Sequence, residues 1–263
     1  MNIFKLLLII CVFVSVQQRA VGDPIHKSIS MQFGNEITIK SRVLAEERSI
    51  IVHLPSGYAK SKKNYPVLYL LDGKRHLYHS VIATKLLHKA KKAPELIIVA
   101  ITNKEGLRQR DLNTESEKFT LFISSEVITY VNNHYRTTDS NTLFGHSLAG
   151  FYAVNLLANH SEFFENYIAA SPPLQGDDVE LYNKIMAPTR TAEMSKKTLY
   201  LTLASEKEEG ESVAKAMSNF VQLLDKDSAR GFDWHYKFLE DETHITTSYL
   251  TFFYGISYVF KDQ

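Results

Sequence analysis

A short turn between a predicted strand and a predicted helix, within residues 141–158, constrains how this chain can fold. The apolar run Thr142–Phe144 leads into Gly145-His-Ser-Leu-Ala-Gly150, after which apolar residues recur at helical spacing. Residues two before and two after Ser147 must be small, because strand and helix approach each other closely there. The second glycine of a G-x-S-x-G motif is here Ala149. A serine in this strand–turn–helix context is typical of a nucleophile, although most serines in short motif matches are ordinary turn residues.

Strand and helix patterns alternate along nearly the whole chain. The predicted strands are 36–41, 48–54, 66–71, 96–101, 142–144, 163–170, 198–203 and 232–238, and the predicted helices are 79–92, 118–135, the segment after Ser147, 212–226 and 248–260. The continuous apolar runs at 66–71 and 96–101 are typical of buried parallel strands. The first two strands alternate instead, which predicts an antiparallel pair at one sheet edge. The pattern predicts one α/β domain with a doubly wound, mostly parallel sheet and helices on both faces.

The N-terminal segment has the pattern of a secretory signal peptide. Lys5 precedes an apolar run of about 11 residues, and small residues follow at Ala20-Val-Gly22. The run is too short to span a bilayer, which needs about 20 apolar residues. We therefore expect residues 1–22 to be a signal peptide and residues 23–263 to be one domain, exported to the periplasm or the extracellular space. An uncleaved anchor is the alternative.

Charge and cysteine content exclude several classes of function. The net charge of the 263 residues is +1, and loss of Lys5 and Arg19 with the signal peptide changes it to −1. Such a chain has no strong field for nucleic acid or for an anionic membrane surface. Cys11 is the only cysteine, so the mature chain would have no disulfide, catalytic thiol or cysteine-bound zinc. No H-E-x-x-H motif or nucleotide-binding glycine pattern is present, and we expect neither metal nor cofactor.

Polar residues follow the predicted strands at the sheet edge where ligands bind in open α/β folds. Along the chain these include Ser147, an acidic turn at 205–209 and His244. Serine, acid and histidine in this order are the chain order of an α/β-hydrolase triad. Of ten histidines, only His244 lies in the loop between the last strand and the final helix, so it is the predicted base. His146 is next to the serine, but its side chain is predicted to point away from the reacting face.

The acid partner of His244 and the backbone donors to the oxyanion are predicted from where residues lie relative to the ends of the strands. Glu206 is the first choice of acid because it is nearest the end of its strand, while Glu208, Glu209 and no acid at all remain alternatives. Two backbone N–H groups must face the oxyanion of a tetrahedral intermediate. Leu148 would supply one, and the turn after the third strand would supply the other from Gly73 or Lys74.

Several segments together resemble a known family. These are Tyr65-Pro-Val-Leu-Tyr-Leu-Leu-Asp-Gly73, Arg108-Gln-Arg-Asp111, Tyr135-Arg136, Leu143-Phe-Gly-His-Ser147, Ala170-Ser-Pro172 and Glu242-Thr-His244. Over most of residues 48–260 the chain resembles the secreted esterase-like branch of the α/β-hydrolases. That branch includes trilactone siderophore (enterochelin-type) esterases and is similar to feruloyl and acetyl-xylan esterases. The resemblance implies that Ser147 is the nucleophile, that His244 is the base and that Arg110 faces the substrate. Siderophore esterases of this kind can work without a firmly placed acid.

Departures from the family pattern affect the substrate more than the chemistry. Pro173-Leu-Gln follows Ser171-Pro172 where relatives often have serine and tryptophans, and Ile245 stands where glycine commonly follows the histidine. Residues 174–196 are expected to be irregular or partly helical and to cap the pocket. The sequence thus predicts a secreted serine hydrolase that cleaves carboxylic esters of small molecules or glycans through an acyl-enzyme. Acyl transfer, or a non-catalytic homologue that binds a siderophore or glycan, is the alternative, and the oligomeric state is undetermined.

Overall fold

The computed structural model describes residues 27–28, 30–175, 179–226 and 231–262. Two units divide the chain, residues 1–32 and 33–263, and every helix and strand given below belongs to the second unit. The predicted signal peptide at residues 1–22 lies outside the described residues.

The second unit is built on an eight-stranded sheet. Its strands are β1 (Asn35–Ser41), β2 (Glu46–His53), β3 (Tyr65–Leu70), β4 (Ile97–Ile101), β5 (Thr137–His146), β6 (Asn166–Ala170), β7 (Thr198–Ala204) and β8 (Asp233–Leu239). Their order across the sheet is β1-β2-β4-β3-β5-β6-β7-β8. The β1–β2 and β2–β4 pairs are antiparallel and the other pairs are parallel, so the predicted antiparallel edge is confirmed.

Helices connect most of the strands. They are α1 (Gly73–Lys89), α2 (Ser116–Phe122), α3 (Thr129–His134), α4 (Leu148–Asn159), α5 (Val179–Ile185), α6 (Thr191–Met194), α7 (Glu206–Glu209), α8 (Glu211–Lys226) and α9 (Thr247–Val259). Short π-helical stretches occupy Arg110–Thr114 and Ile123–Ile128. Of the helices in the described ranges, none is both long and apolar enough to cross a membrane.

Helix α1 begins six residues before the predicted start at His79. Its first residue, Gly73, lies against β4, where an added Cβ would be 2.6 Å from the carbonyl carbon of Ala100. A glycine here therefore allows close packing of helix on sheet instead of breaking the helix. The early start places the first turn of α1 directly at the carboxyl end of β3.

Two apolar cores cover the two faces of the sheet. Alternate residues of a strand point to opposite faces, so Val67 and Tyr69 of β3 join one core and Leu68 and Leu70 join the other. Helices α4 and α8 contribute to the first core, and α1 and α9 contribute to the second. The sheet is therefore doubly wound, as predicted, and its carboxyl edge remains available between the two helical layers.

Candidate active site

Ser147 lies between the last residue of β5 and the first residue of α4. Its backbone has φ 59° and ψ −128°, a conformation that is sterically costly for a residue with a side chain. The Ser147 N–H donates to the carbonyl of Ala170 at 2.8 Å, and the Phe151 N–H donates to the carbonyl of Ser147 at 2.9 Å. These bonds fix the turn from both sides and keep the serine at the carboxyl edge of the sheet.

Close backbone approach explains the small residues of the serine turn (residues 145–150). A Cβ on Gly145 would lie 2.1 Å from the carbonyl oxygen of Ala149, and one on Gly150 would lie 2.9 Å from that of Ala170. The methyl group of Ala149 is itself fully buried, so alanine fits where the motif usually has glycine. Only glycine fits at position 145.

His244 lies between β8 and α9 and contacts a buried carboxylate. Its Nδ1 is 2.9 Å from each carboxylate oxygen of Glu209, the last residue of α7. The Glu209 side chain is 4% exposed and that of His244 is 32% exposed. With Nδ1–H donating to Glu209, Nε2 of the imidazole is left as the proton acceptor.

The charge on Glu209 is stabilised by its neighbours. Burial raises the pKa of this carboxyl, but hydrogen bonds from His244, the Ser171 hydroxyl and the Ala204 N–H outweigh burial and lower the pKa below its ordinary value. Ser171 is held in place in turn, because its hydroxyl also accepts the Ala204 N–H at 3.2 Å. Glu209 is therefore an ionised acceptor beneath the imidazole.

The structure does not bring Glu206 to His244. Glu206 is the first residue of the four-residue helix α7, and its side chain is exposed, as is that of Glu208. One turn of helix carries the chain back toward the imidazole, so Glu209, which is farther from the strand end, makes the contact. Glu206 is the predicted acid because it is nearest the end of its strand, but the structure does not place it at His244. Glu209, one of the predicted alternatives, makes the contact instead.

Ser147 and His244 line one cavity of about 490 Å³ at the carboxyl edge of the sheet. Its lining consists of Asp72, Lys74, Arg75, Asn103, Arg108, His146, Ser147, His244 and Ile245. None of the lining residues comes from the described parts of the segment predicted as a cap, 174–175 and 179–196. No hydrogen bond joins the Ser147 hydroxyl to the imidazole within the described residues, and such bonds commonly tighten only when substrate binds.

Two helix N-termini supply the candidate oxyanion donors. Leu148 begins α4, and Gly73 and Lys74 begin α1, so their N–H groups lack acceptors within the helix. Lys74 lines the cavity, whereas Gly73 packs against β4 and is absent from the lining. Leu148 and the first turn of α1 therefore provide N–H groups from two helices.

Arg108, not Arg110, is the arginine of this loop that lines the cavity. Its Nε and Nη2 donate to the two oxygens of Asp72 at 2.7 and 2.8 Å, and the Asn103 amide also donates to Asp72. Burial raises the pKa of Asp72, but these contacts outweigh burial and lower it. Asp72 adopts φ 51°, and the pair fixes this strained turn after β3.

Arg110 is bound elsewhere, contrary to the expectation that it faces the substrate. Its Nη2 lies 2.6 Å from oxygens of both Glu46 and Asp111. Arg48 joins the same cluster at 2.6 Å from Asp111. Residues two apart on a helical stretch point to nearly opposite sides. Arg110 therefore pairs with the carboxylates of this cluster, while Arg108 points to the cavity.

His146 contacts the loop of the predicted base. Its Nε2–H donates to the backbone carbonyl of His244 at 2.6 Å, and the two ring centroids are 4.7 Å apart. Burial lowers the pKa of His146 to about 4, so the ring is neutral near pH 7. His146 is among the residues that line the cavity, but it is only 1% exposed, so the orientation expected for its side chain stays a prediction.

Two further histidines lie next to this group, although neither lines the cavity. His76 Nδ1 is 3.0 Å from His79 Nε2, and the rings of His76 and His146 are 5.9 Å apart. Burial lowers the pKa of His76 to about 3 and that of His79 to about 4. Within the described ranges, no three His, Cys, Asp or Glu side chains are grouped to hold a metal ion.

Known esterases are similar to this chain. A family model described as Putative esterase matches residues 41–246, well over half of the sequence. No curated protein matches it. An IroE-like serine hydrolase from Shewanella oneidensis is 26% identical, with a TM-score of 0.76 over 87% of this chain and 80% of that one.

Two further solved structures share the fold at lower identity. The siderophore hydrolase EstA from Aspergillus nidulans is 18% identical, with a TM-score of 0.75 over 90% of this chain and 99% of that one. A ferulic acid esterase from Anaeromyces mucronatus is 16% identical, with a TM-score of 0.65 over 89% of this chain and 92% of that one. These likenesses confirm the predicted α/β-hydrolase fold, and the family match confirms the esterase-like group.

Proposed function

The chain belongs to the Putative esterase family and is an ester hydrolase, and from that premise we propose that it cleaves carboxylic esters through an acyl-enzyme on Ser147. The observation that carries the proposal is the contact between His244 Nδ1 and both oxygens of Glu209, 2.9 Å each, beside a serine on a strained turn. A neutral serine is a poor nucleophile and needs such an oriented base. Ser147 and His244 line the same cavity, and together with Glu209 they follow three different strands.

The proposed reaction has two steps. His244 Nε2 takes the hydroxyl proton as Ser147 Oγ bonds to the ester carbonyl carbon, and the resulting imidazolium is stabilised by the Glu209 carboxylate. The oxyanion accepts N–H groups from Leu148 and from Gly73 or Lys74. The carbon–oxygen bond to the alcohol then breaks, and His244 returns its proton to the leaving alkoxide. Water repeats the sequence on the acyl-enzyme and releases the acid.

Export and substrate size belong to the same proposal. We propose that residues 1–22 direct export and are removed, leaving residues 23–263 as a single domain outside the cytoplasm. The substrate is a small-molecule or glycan-linked ester. Support for this class comes from the cavity volume of about 490 Å³ and from the siderophore and ferulic acid esterases that share the fold.

A fluorophosphonate probe tests the nucleophile directly. We expect the wild-type protein to be labelled at Ser147, with labelling abolished in Ser147→Ala and retained in Ser124→Ala, a matched loss of a hydroxyl on another helix. Circular dichroism would establish that each variant is folded. Absence of labelling in folded wild-type protein, or labelling that survives in Ser147→Ala, would refute the proposal and favour a binding homologue without turnover.

A further inference from the structure

The cavity around Ser147 contains more positive than negative side chains. Among the described residues that line it, Lys74, Arg75 and Arg108 are the cations and Asp72 is the one carboxylate. The chain as a whole carries a net charge of only +1, so this excess is local. The neutral His146 adds no charge near pH 7.

Asp72 neutralises only one of the three cations. Both of its oxygens are bound by Arg108, at 2.7 and 2.8 Å, and Asn103 donates to it as well. A carboxylate that accepts a two-point guanidinium contact forms one of the strongest ionic pairs in proteins. Arg108 and Asp72 therefore act together as a neutral support for the turn, and Lys74 and Arg75 remain.

Lys74 has only a weak ionic partner. Its Nζ is 3.9 Å from Glu36, and the two side chains are 69% and 51% exposed. Exposed pairs at this distance contribute little, because water screens the charges and both side chains must lose freedom to meet. Lys74 can therefore turn toward a ligand at small cost.

Arg75 has no ion pair or side-chain hydrogen bond with any residue that the structure describes, although it lines the cavity. Burial is the main reason that the pKa of His146 is low, and the charge of Arg75 lowers it further. Arg75, His146 and Ser147 line the same cavity. Arg75 is a solvent-accessible cation beside the reacting serine.

We propose that the esters hydrolysed at Ser147 carry a second, anionic group, of the carboxylate class, and that Arg75 binds it with Lys74 in support. This inference rests on the proposed function and names the substrate class of the same site. A guanidinium presents two parallel N–H donors that match the two oxygens of a carboxylate. The two residues follow the oxyanion turn directly, so the anion binds on the α1 side of the cavity.

Matched ester pairs test this inference. 4-Acetoxybenzoate and 4-acetoxybenzamide differ in charge on the alcohol part, and monophenyl adipate and phenyl hexanoate differ in charge on the acyl part. We expect the anionic ester to have about tenfold higher kcat/KM in at least one pair at low salt. The preference should fall as salt shortens the screening length from about 30 Å at 0.01 M to about 10 Å at 0.1 M.

The readout is the anionic-to-neutral ratio within each variant, so that differences in the amount of folded protein cancel. Arg75→Gln should bring the ratio close to one, and Arg75→Lys should leave an intermediate value. Lys89→Gln removes a charge at the far end of α1 and should keep the wild-type ratio. Equal rates for both members of both pairs, or a preference that survives in Lys74→Gln/Arg75→Gln, would overturn the inference.

A binding measurement separates this inference from the proposed reaction. Calorimetry on Ser147→Ala should show at least one anionic ester bound about tenfold more tightly than its neutral partner, and Arg75→Gln in that background should abolish the difference. If no ester is hydrolysed by the wild type, the reaction is wrong while the binding result still decides the charge preference. Equal affinities would reject the preference even if hydrolysis is observed.

Discussion

Glu209 and Glu206 are both carboxylates of helix α7, but only Glu209 is buried against His244. Its two oxygens lie 2.9 Å from the same imidazole nitrogen, while Ser171 and the Ala204 N–H hold the carboxylate from the other side. A base in this position needs a fixed ring orientation and a counter-charge when it is protonated. The buried carboxylate supplies both.

Replacing Glu209 should therefore weaken catalysis far more than replacing Glu206. We expect Glu209→Gln to lower kcat by about 100-fold or more, because the imidazolium loses its counter-charge and the ring loses its fixed tautomer. Glu206→Gln removes the same charge from the same helix and should stay within about twofold of wild type. Steady-state kinetics on a neutral ester measures both. A similar loss in the two variants would contradict the assignment.

The sequence predicts some of these residues better than others. Ser147 and His244 follow from chain order and from strand and helix patterns, which depend on short-range periodicity. The choice among Glu206, Glu208 and Glu209 depends on how one turn of helix is oriented, and the buried member, Glu209, contacts Ser171 just after the neighbouring strand β6. The different positions of Arg108 and Arg110 likewise depend on their partners Asp72 and Glu46, which are distant in the sequence. No local sequence pattern reveals such partners.

At the scale of elements, the serine turn is a contact between a strand and a helix that leaves no room for a side chain at Gly145. The strained backbone of Ser147 is maintained by hydrogen bonds to β6 and within α4. Asp72 and Ser171, with φ values of 51° and 42°, are strained in the same way after β3 and β6. Strain at the ends of three neighbouring strands persists because the sheet fixes each turn from both sides.

This packing predicts a graded response to added methyl groups. Gly145→Ala places a Cβ 2.1 Å from a backbone oxygen and should lower the free energy of unfolding by about 3 kcal/mol or more. Gly150→Ala meets a backbone oxygen at 2.9 Å and should cost about 1–2 kcal/mol, because the overlap is much smaller than at Gly145. Urea unfolding of both variants measures the difference. Equal effects would show that the turn tolerates displacement.

At the scale of the whole molecule, buried neutral histidines make stability depend on pH. His76, His79 and His146 have pKa values of about 3, 4 and 4, below the ordinary 6.5, because burial disfavours their charged forms. Between pH 6.5 and about 4 the unfolded chain binds protons that the folded protein does not. Stability therefore falls as the pH is lowered through this window and is fully present above it.

The expected loss between pH 7.5 and 5.5 is about 1 kcal/mol for each of the three histidines. His79→Phe should reduce the total loss by about that amount, while His134→Gln, which replaces an exposed histidine at the end of α3, should leave it unchanged. Urea unfolding at the two pH values gives these numbers. A loss of the same size in His79→Phe would show that other groups carry the pH dependence.

The first turn of α1 has a consequence for how this molecule can evolve. Its backbone N–H groups are the proposed oxyanion donors, and its side chains at positions 74 and 75 are proposed to bind the anionic group of the ester. Almost any residue at these two positions still presents the same amide N–H. A substitution at either position can change the preferred ester from acidic to neutral or basic and leave the backbone donors of the reaction in place. A single codon change is therefore enough to reach a new class of substrate.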